Sequence, residues 1–152
     1  MIRLGRLTDY AITLLTQMVR EGKPVSSAKD LAEKACLPGP TVAKVMKKLT
    51  KSGIVTALRG ASGGYSLAAS AATISVASIV EAMEGPIAIT DCAEGSDHSC
   101  NITRLCPMSG NWNKINRALR VALDAVSLKD MAADAHPFTL TPRAEAGKDA
   151  AP

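Results

Sequence analysis

Aromatic side chains are nearly absent, with one Phe, one Trp and two Tyr in 152 residues. A core built without them rests on Leu, Ile, Val, Met and Ala, and small cores of this kind are often completed by a partner subunit. No apolar run reaches the length needed to cross a bilayer, so no membrane partner is expected. The opening Met1-Ile2-Arg3-Leu4-Gly5-Arg6 has no secretory core or cleavage pattern behind it, which points to a cytoplasmic protein. A reducing compartment disfavours structural disulfides. A cofactor fingerprint and a convergent acid–base set are also missing. Gly60-x-x-Gly63-Gly64 lacks the Lys-Ser/Thr pair of a phosphate-binding loop. An enzyme is therefore not expected.

What is present is a chain of 47% hydrophobic residues, too apolar to be disordered by composition. Its charge is unevenly divided. Residues 1–70 carry 11 Lys/Arg and 4 Asp/Glu, whereas residues 71–152 carry 7 and 10. A basic N-terminal module suits a polyanion such as DNA.

The periodicity agrees with this division. Leu4, Leu7, Ala11, Leu14, Leu15 and Met18 fall on one stripe of a helix over residues 4–20. Ser26 or Ser27 can cap a second helix, whose small apolar face is Ala28, Leu31, Ala32 and Ala35. Cys36-Leu37-Pro38-Gly39 breaks it. A third helix starts at Pro40, buries Val42, Val45, Met46 and Leu49, and ends at Gly53. Lys44, Lys47, Lys48 and Lys51 lie largely off that stripe. Two short helices with a tight turn and a basic second helix follow the helix-turn-helix plan. Pro40, Thr41 and Lys44 are then expected to face base edges, and Lys47, Lys48 and Lys51 to meet phosphates.

Residues 54–58 and 65–68 read as strands joined by Arg59-Gly60-Ala61-Ser62-Gly63-Gly64. This is a hairpin wing, with Arg59 able to enter a minor groove and Gly60, Ser62 and Gly63 bringing the backbone close to phosphates. After a small-residue linker, Val76, Ile79, Val80 and Met83 mark a short helix ended by Gly85-Pro86. A short strand is expected at Ile87–Ile89, followed by a loop. Trp112, Ile115, Leu119, Ala122, Leu123 and Val126 then form the stripe of a long helix over 109–127, suited to a helix–helix dimer contact. Ser127-Leu128-Lys129-Asp130 can cap a last short helix. The expected fold is mainly α with a small β-wing: a winged helix-turn-helix plus a long dimerisation helix. The expected domains are residues 1–73 for DNA binding, 74–134 for the cysteine loop and dimerisation helices, and 135–152 as a flexible tail. The expected partners are a second copy of the chain and a palindromic double-stranded operator, since a symmetric dimer matches a symmetric site.

Four cysteines remain. Cys36, alone in the turn between the two DNA-reading helices, is expected to be a buried core thiol. Cys92, Cys100 and Cys106 cluster in one loop, and three clustered thiols suggest metal or redox chemistry. Their spacing is too wide for zinc-finger pairs, and by itself it leaves an iron–sulfur cluster, zinc and unliganded thiols open.

Met1–Tyr10, the helix pair at 27–51, the Arg59–Tyr65 wing, Cys92/Cys100/Cys106, the long helix and Ser127–Met131 together resemble the iron–sulfur regulators of the Rrf family. That family includes IscR-like, NsrR-like and SUF-system regulators. The opening Leu7-Thr8-Asp9-Tyr10 looks most like the SUF-type and NsrR-type members. The resemblance implies an iron–sulfur cluster, 2Fe–2S in preference to 4Fe–4S, held by Cys92, Cys100 and Cys106. Where the IscR pattern places a histidine ligand, this chain has Ser109. The resemblance makes Asp9, donated across the dimer, the expected fourth ligand, with His98 as a further candidate. The implied function is a dimeric repressor-type regulator sensing cluster status, iron, nitric oxide or redox state and controlling cluster-assembly genes. The alternative is a zinc or thiol-redox regulator on the same DNA-binding body, without a cluster.

Overall fold

A computed structural model describes residues 3–60, 62–96, 100–102 and 105–133. The elements run α1 (Arg6–Glu21), α2 (Ala28–Ala35), α3 (Gly39–Lys51), β1 (Val55–Leu58), β2 (Gly64–Leu67), α4 (Val76–Glu84), α5 (Ser109–Asp124) and α6 (Leu128–Ala133). The fold is mainly helical with a two-stranded antiparallel wing, as the periodicity predicts. The tail expected at 135–152 lies outside the described residues.

The α1 stripe is the floor of the core. Ala11, Leu14, Leu15 and Met18 are buried, and they share one cluster with Leu31 of α2 and with Val42, Val45, Met46 and Leu49 of α3. Ile79 and Met83 of α4 and Leu128 of α6 enter the same cluster. Each fully buried aliphatic side chain contributes about 1.5–3 kcal/mol relative to exposure.

The caps follow the sequence. Ser27 accepts a hydrogen bond from the Asp30 amide (3.1 Å) at the start of α2. At α6 the capping box is reciprocal: the Asp130 amide donates to Ser127 Oγ (3.1 Å), and the Ser127 amide donates to Asp130 Oδ2 (3.0 Å). The Ser127 hydroxyl and then its amide, both donating to Asp130, hold that carboxyl below its ordinary range. Glu21, at the end of α1, accepts from the Lys34 ammonium (2.6 Å) and the Gln17 amide (2.7 Å), which ties α1 to α2. Lys34, foremost, holds the Glu21 carboxyl low.

The wing pairs Val55 with Leu67, Thr56 with Ser66, Ala57 with Tyr65 and Leu58 with Gly64. Its other edge is held as well. The Ser26 amide donates to the Tyr65 carbonyl and the Tyr65 amide donates to the Ser26 carbonyl, both at 2.9 Å. The segment leading into α2 thus acts as a one-residue third strand. The close approach explains Gly64: a β-carbon there would collide with the Ser26 carbonyl. At Gly63 a β-carbon would collide with the Leu58 and Gly60 carbonyls of the tight reversal.

The strand expected at Ile87–Ile89 is not formed. The side chain of buried Asn116 on α5 takes the place of a neighbouring strand. Its amide donates to the Ile87 carbonyl (2.9 Å), and its Oδ1 accepts from the Ile89 amide (3.2 Å). The Asn116 amide also donates to the Glu94 carbonyl (3.2 Å).

Gly64→Ala is expected to lower stability by about 2 kcal/mol, because the displaced Ser26 backbone cannot move without losing its two bonds to Tyr65. Urea unfolding of the purified variant checks this. An unchanged midpoint would show that the wing does not need the close approach.

Candidate nucleic-acid interface and cysteine loop

α3 begins with Pro38 as its N-cap and Pro40 in its first turn. Val42, Val45, Met46 and Leu49 are fully buried, so the lysine positions between them face outward. Pro40, Lys44, Lys47, Lys48 and Lys51 are exposed and Thr41 is half-buried. The four lysines are not equivalent. The Lys48 ammonium donates to the Met83 carbonyl at the end of α4 (2.6 Å), a bond within the chain. Acidic residues are absent from the first turn of α3, so nothing there offsets the positive end of its dipole.

The hairpin follows α3 directly. At its tip Arg59, Gly60 and Ser62 are exposed and Gly63 is half-buried. Gly60 has φ +114°, a conformation that glycine adopts without strain. The Gly63 amide closes the reversal on the Gly60 carbonyl (2.9 Å). The exposed lysines of α3 and Arg59 of the wing lie on consecutive elements, and the core packs beneath α3.

Cys36 departs from expectation. It is exposed and caps α2 in the left-handed region, at φ +51° and ψ +39°. The turn needs a left-handed residue to end α2 and begin α3, and that conformation carries the side chain away from the core. Cys36 is the one non-glycine residue of positive φ among the described residues.

The iron–sulfur expectation is corrected. Among the described residues, no three His, Cys, Asp or Glu side chains gather as a set able to hold a metal ion. Cys92, Cys100 and Cys106 are each half-buried. The Cys92 thiol lies against the Thr90 hydroxyl (3.4 Å). The physical reason is the anchoring of the loop's first part. Asn116 holds Ile87, Ile89 and Glu94, while Asn113 accepts from the Glu94 amide (2.9 Å) and Arg117 pairs with the Glu94 carboxylate (3.2 Å). The segment bearing Cys92 is thereby fixed against the middle of α5, whereas Cys106 sits just before that helix begins. Asp9 stands exposed on α1, and its fourth-ligand role falls with the cluster. The candidate ligand His98 lies outside the described residues. Neither the 2Fe–2S nor the 4Fe–4S cofactor fits the thiols as placed.

The stripe expected on α5 divides in two. Leu119 and Leu123 pack on Val76, Ala77, Val80 and Ile87. Ile115 (52% exposed), Ala122 and Val126 remain uncovered. The buried row is Trp112, Asn116, Leu119 and Leu123, with Asn116 as its most buried member. The spacing of four, three and four was legible in the sequence, but a polar residue within the stripe conceals the role of Asn116. Glu84 was also missed. Its carboxylate accepts from the Gly5 amide (2.7 Å) and from the buried Thr8 hydroxyl, closing the start of α1.

A family model described as "Rrf2: Iron-dependent Transcriptional regulator" matches residues 4–134. The chain belongs to the Rrf2 family. Its members are transcriptional regulators, and the chain is not an enzyme. The HTH-type transcriptional repressor NsrR of Streptomyces coelicolor is 31% identical over 134 residues, which cover 87% of this chain and 89% of that protein. Among solved structures, CymR, the global cysteine regulator of B. subtilis, superposes with TM-score 0.69 at 26% identity, covering 90% of this chain and all of that one. The oxidized form of Staphylococcus aureus CymR superposes with TM-score 0.65 at 25% identity, covering 89% and 99%. No helix among the described residues is long and apolar enough to cross a membrane.

Cys36→Gly is expected to raise stability by about 1 kcal/mol by relieving the left-handed conformation. Thermal and urea unfolding of the two proteins give the comparison, and a lower midpoint for the variant would exclude strain at this turn.

Proposed function

We propose that the chain is a homodimeric transcriptional regulator that binds duplex DNA through α2, α3 and the wing. One observation carries the reading: the exposed lysines of α3 and exposed Arg59 of the wing stand on consecutive elements above a shared core. Pro40, Thr41 and Lys44, at the start of α3, are assigned to base edges. Lys47 and Lys51 are assigned to phosphates, and Lys48 remains bonded to Met83. Arg59 is assigned to the minor groove, with Gly60, Ser62 and Gly63 beside the backbone. Residues 1–73 form the DNA-reading part and residues 74–134 the part that joins two copies. The uncovered Ile115 and Val121 of α5, 52% and 67% exposed, support that assignment, since a partner helix laid on α5 would remove them from water. The opening Leu7-Thr8-Asp9-Tyr10 supports a place beside the SUF-system and NsrR-type members of the family.

The control input is assigned to the thiols without a cluster. Zinc needs a gathered tetrahedral set, and the described residues offer none. Thiol oxidation needs no such set, and Cys36 is exposed in the very turn that orients α3. The likeness to a regulator solved in an oxidized form adds support.

Electrophoretic mobility shifts on operator-containing duplex across a salt series test the DNA assignment. Lys44→Ala is expected to cost about 1–3 kcal/mol and to relax sequence preference. Lys47→Ala and Lys51→Ala are each expected to lower the salt slope by about one. Duplex binding that is absent, or insensitive to salt, would reject the reading. Sedimentation checks the dimer, with Ile115→Glu expected to give monomers. Anaerobically purified protein is expected to be colourless and to change duplex affinity on peroxide treatment, reversibly with dithiothreitol. Unchanged affinity after oxidation would remove the thiol input.

A further inference from the structure

A cleft of about 670 Å³ lies between the chain's start, the end of α4, the segment after it and α5. This volume is in the range of sites that take small organic molecules. Its floor is apolar, made by Val80 and Ile87, both nearly buried, together with Leu119 and Leu123. Its rim is charged, with Arg3, Glu84 and Asp91.

The walls are held from several directions. The end of α4 is fixed by Lys48, which donates to the Met83 carbonyl (2.6 Å), and by Glu84, which accepts from the Gly5 amide (2.7 Å). The opposite wall, Ile87 to Ile89, is fixed by Asn116. A cleft whose walls are set by such bonds exists before its ligand arrives and costs little to order.

The rim charges differ in their commitments. Glu84 accepts two bonds from the start of α1. Arg3 and Asp91 are exposed, and neither side chain has a hydrogen-bond or ion-pair partner among the described residues. One uncommitted cation and one uncommitted anion therefore border one apolar floor. A molecule that suits all three features carries a carboxylate, an ammonium and an apolar side chain.

We propose that this cleft binds a free α-amino acid with a branched aliphatic or aromatic side chain. Its carboxylate pairs with Arg3, its ammonium with Asp91, and its side chain lies on Leu119 and Leu123. This inference does not rest on the DNA reading, because binding is measured on the whole protein without DNA.

Isothermal titration with leucine and with phenylalanine tests it. The comparison ligands are isovalerate, which lacks the ammonium, isopentylamine, which lacks the carboxylate, and glycine, which lacks the side chain. Leucine or phenylalanine is expected to bind, with each comparison ligand about tenfold weaker or more. Arg3→Ala and Asp91→Asn, both at exposed positions, are each expected to weaken binding about tenfold. Leu119→Trp is expected to fill the floor and abolish binding without changing the oligomeric state. The proposal is overturned if no amino acid binds at millimolar concentration, or if isovalerate or isopentylamine binds as tightly. It is equally overturned if the Arg3 and Asp91 variants bind like the unaltered protein, or if Leu119→Trp alters the oligomeric state, which would make the cleft an interface between copies.

Discussion

Every other element depends on burial of the α1 stripe. Ala11, Leu14, Leu15 and Met18 supply one surface that α2, α3, α4 and α6 all share. Removing that surface from water is the dominant favourable contribution, and it is non-directional. Direction comes from a few polar bonds at the edges. Glu21 with Lys34 sets α1 against α2, Glu84 closes the start of α1, and Lys48 joins α3 to α4. The helix that presents lysines to solvent is thus bonded to the wall of the cleft by one of those lysines.

The Lys48 bond illustrates how a charge pattern and a charge's use differ. The side chain lies at the edge of the basic face, and its stem is long enough to reach over the end of α4. The carbonyls at a helix C-terminus carry partial negative charge and lack intrahelical partners. An ammonium there satisfies a carbonyl at Met83 and stays charged. Three lysines on α3 are left with no such bond among the described residues.

The loop after α4 shows the reverse case, in which a single side chain outweighs a sequence pattern. Three cysteines in one loop suggest metal or redox chemistry, and the family resemblance points to a cluster. Asn116 and its neighbours on α5 instead hold the first part of the loop through backbone groups that would otherwise be unsatisfied. With that first part tied to α5, the described thiols do not converge as a ligand sphere.

The sequence by itself determined the helices, the wing and the caps, because periodicity, proline, glycine and serine act over three or four residues. It also determined the basic face of α3, since the buried positions Val42, Val45, Met46 and Leu49 leave the lysines outside. Only the tertiary structure decided which polar groups meet across long separations: Glu84 with Gly5, Lys48 with Met83, and Asn116 with Ile87. It also decided that Cys36 faces solvent, that Ile87–Ile89 forms no strand, and that the α5 stripe is half covered. These outcomes depend on where two distant segments are brought together by burial, and a local pattern carries no record of that meeting.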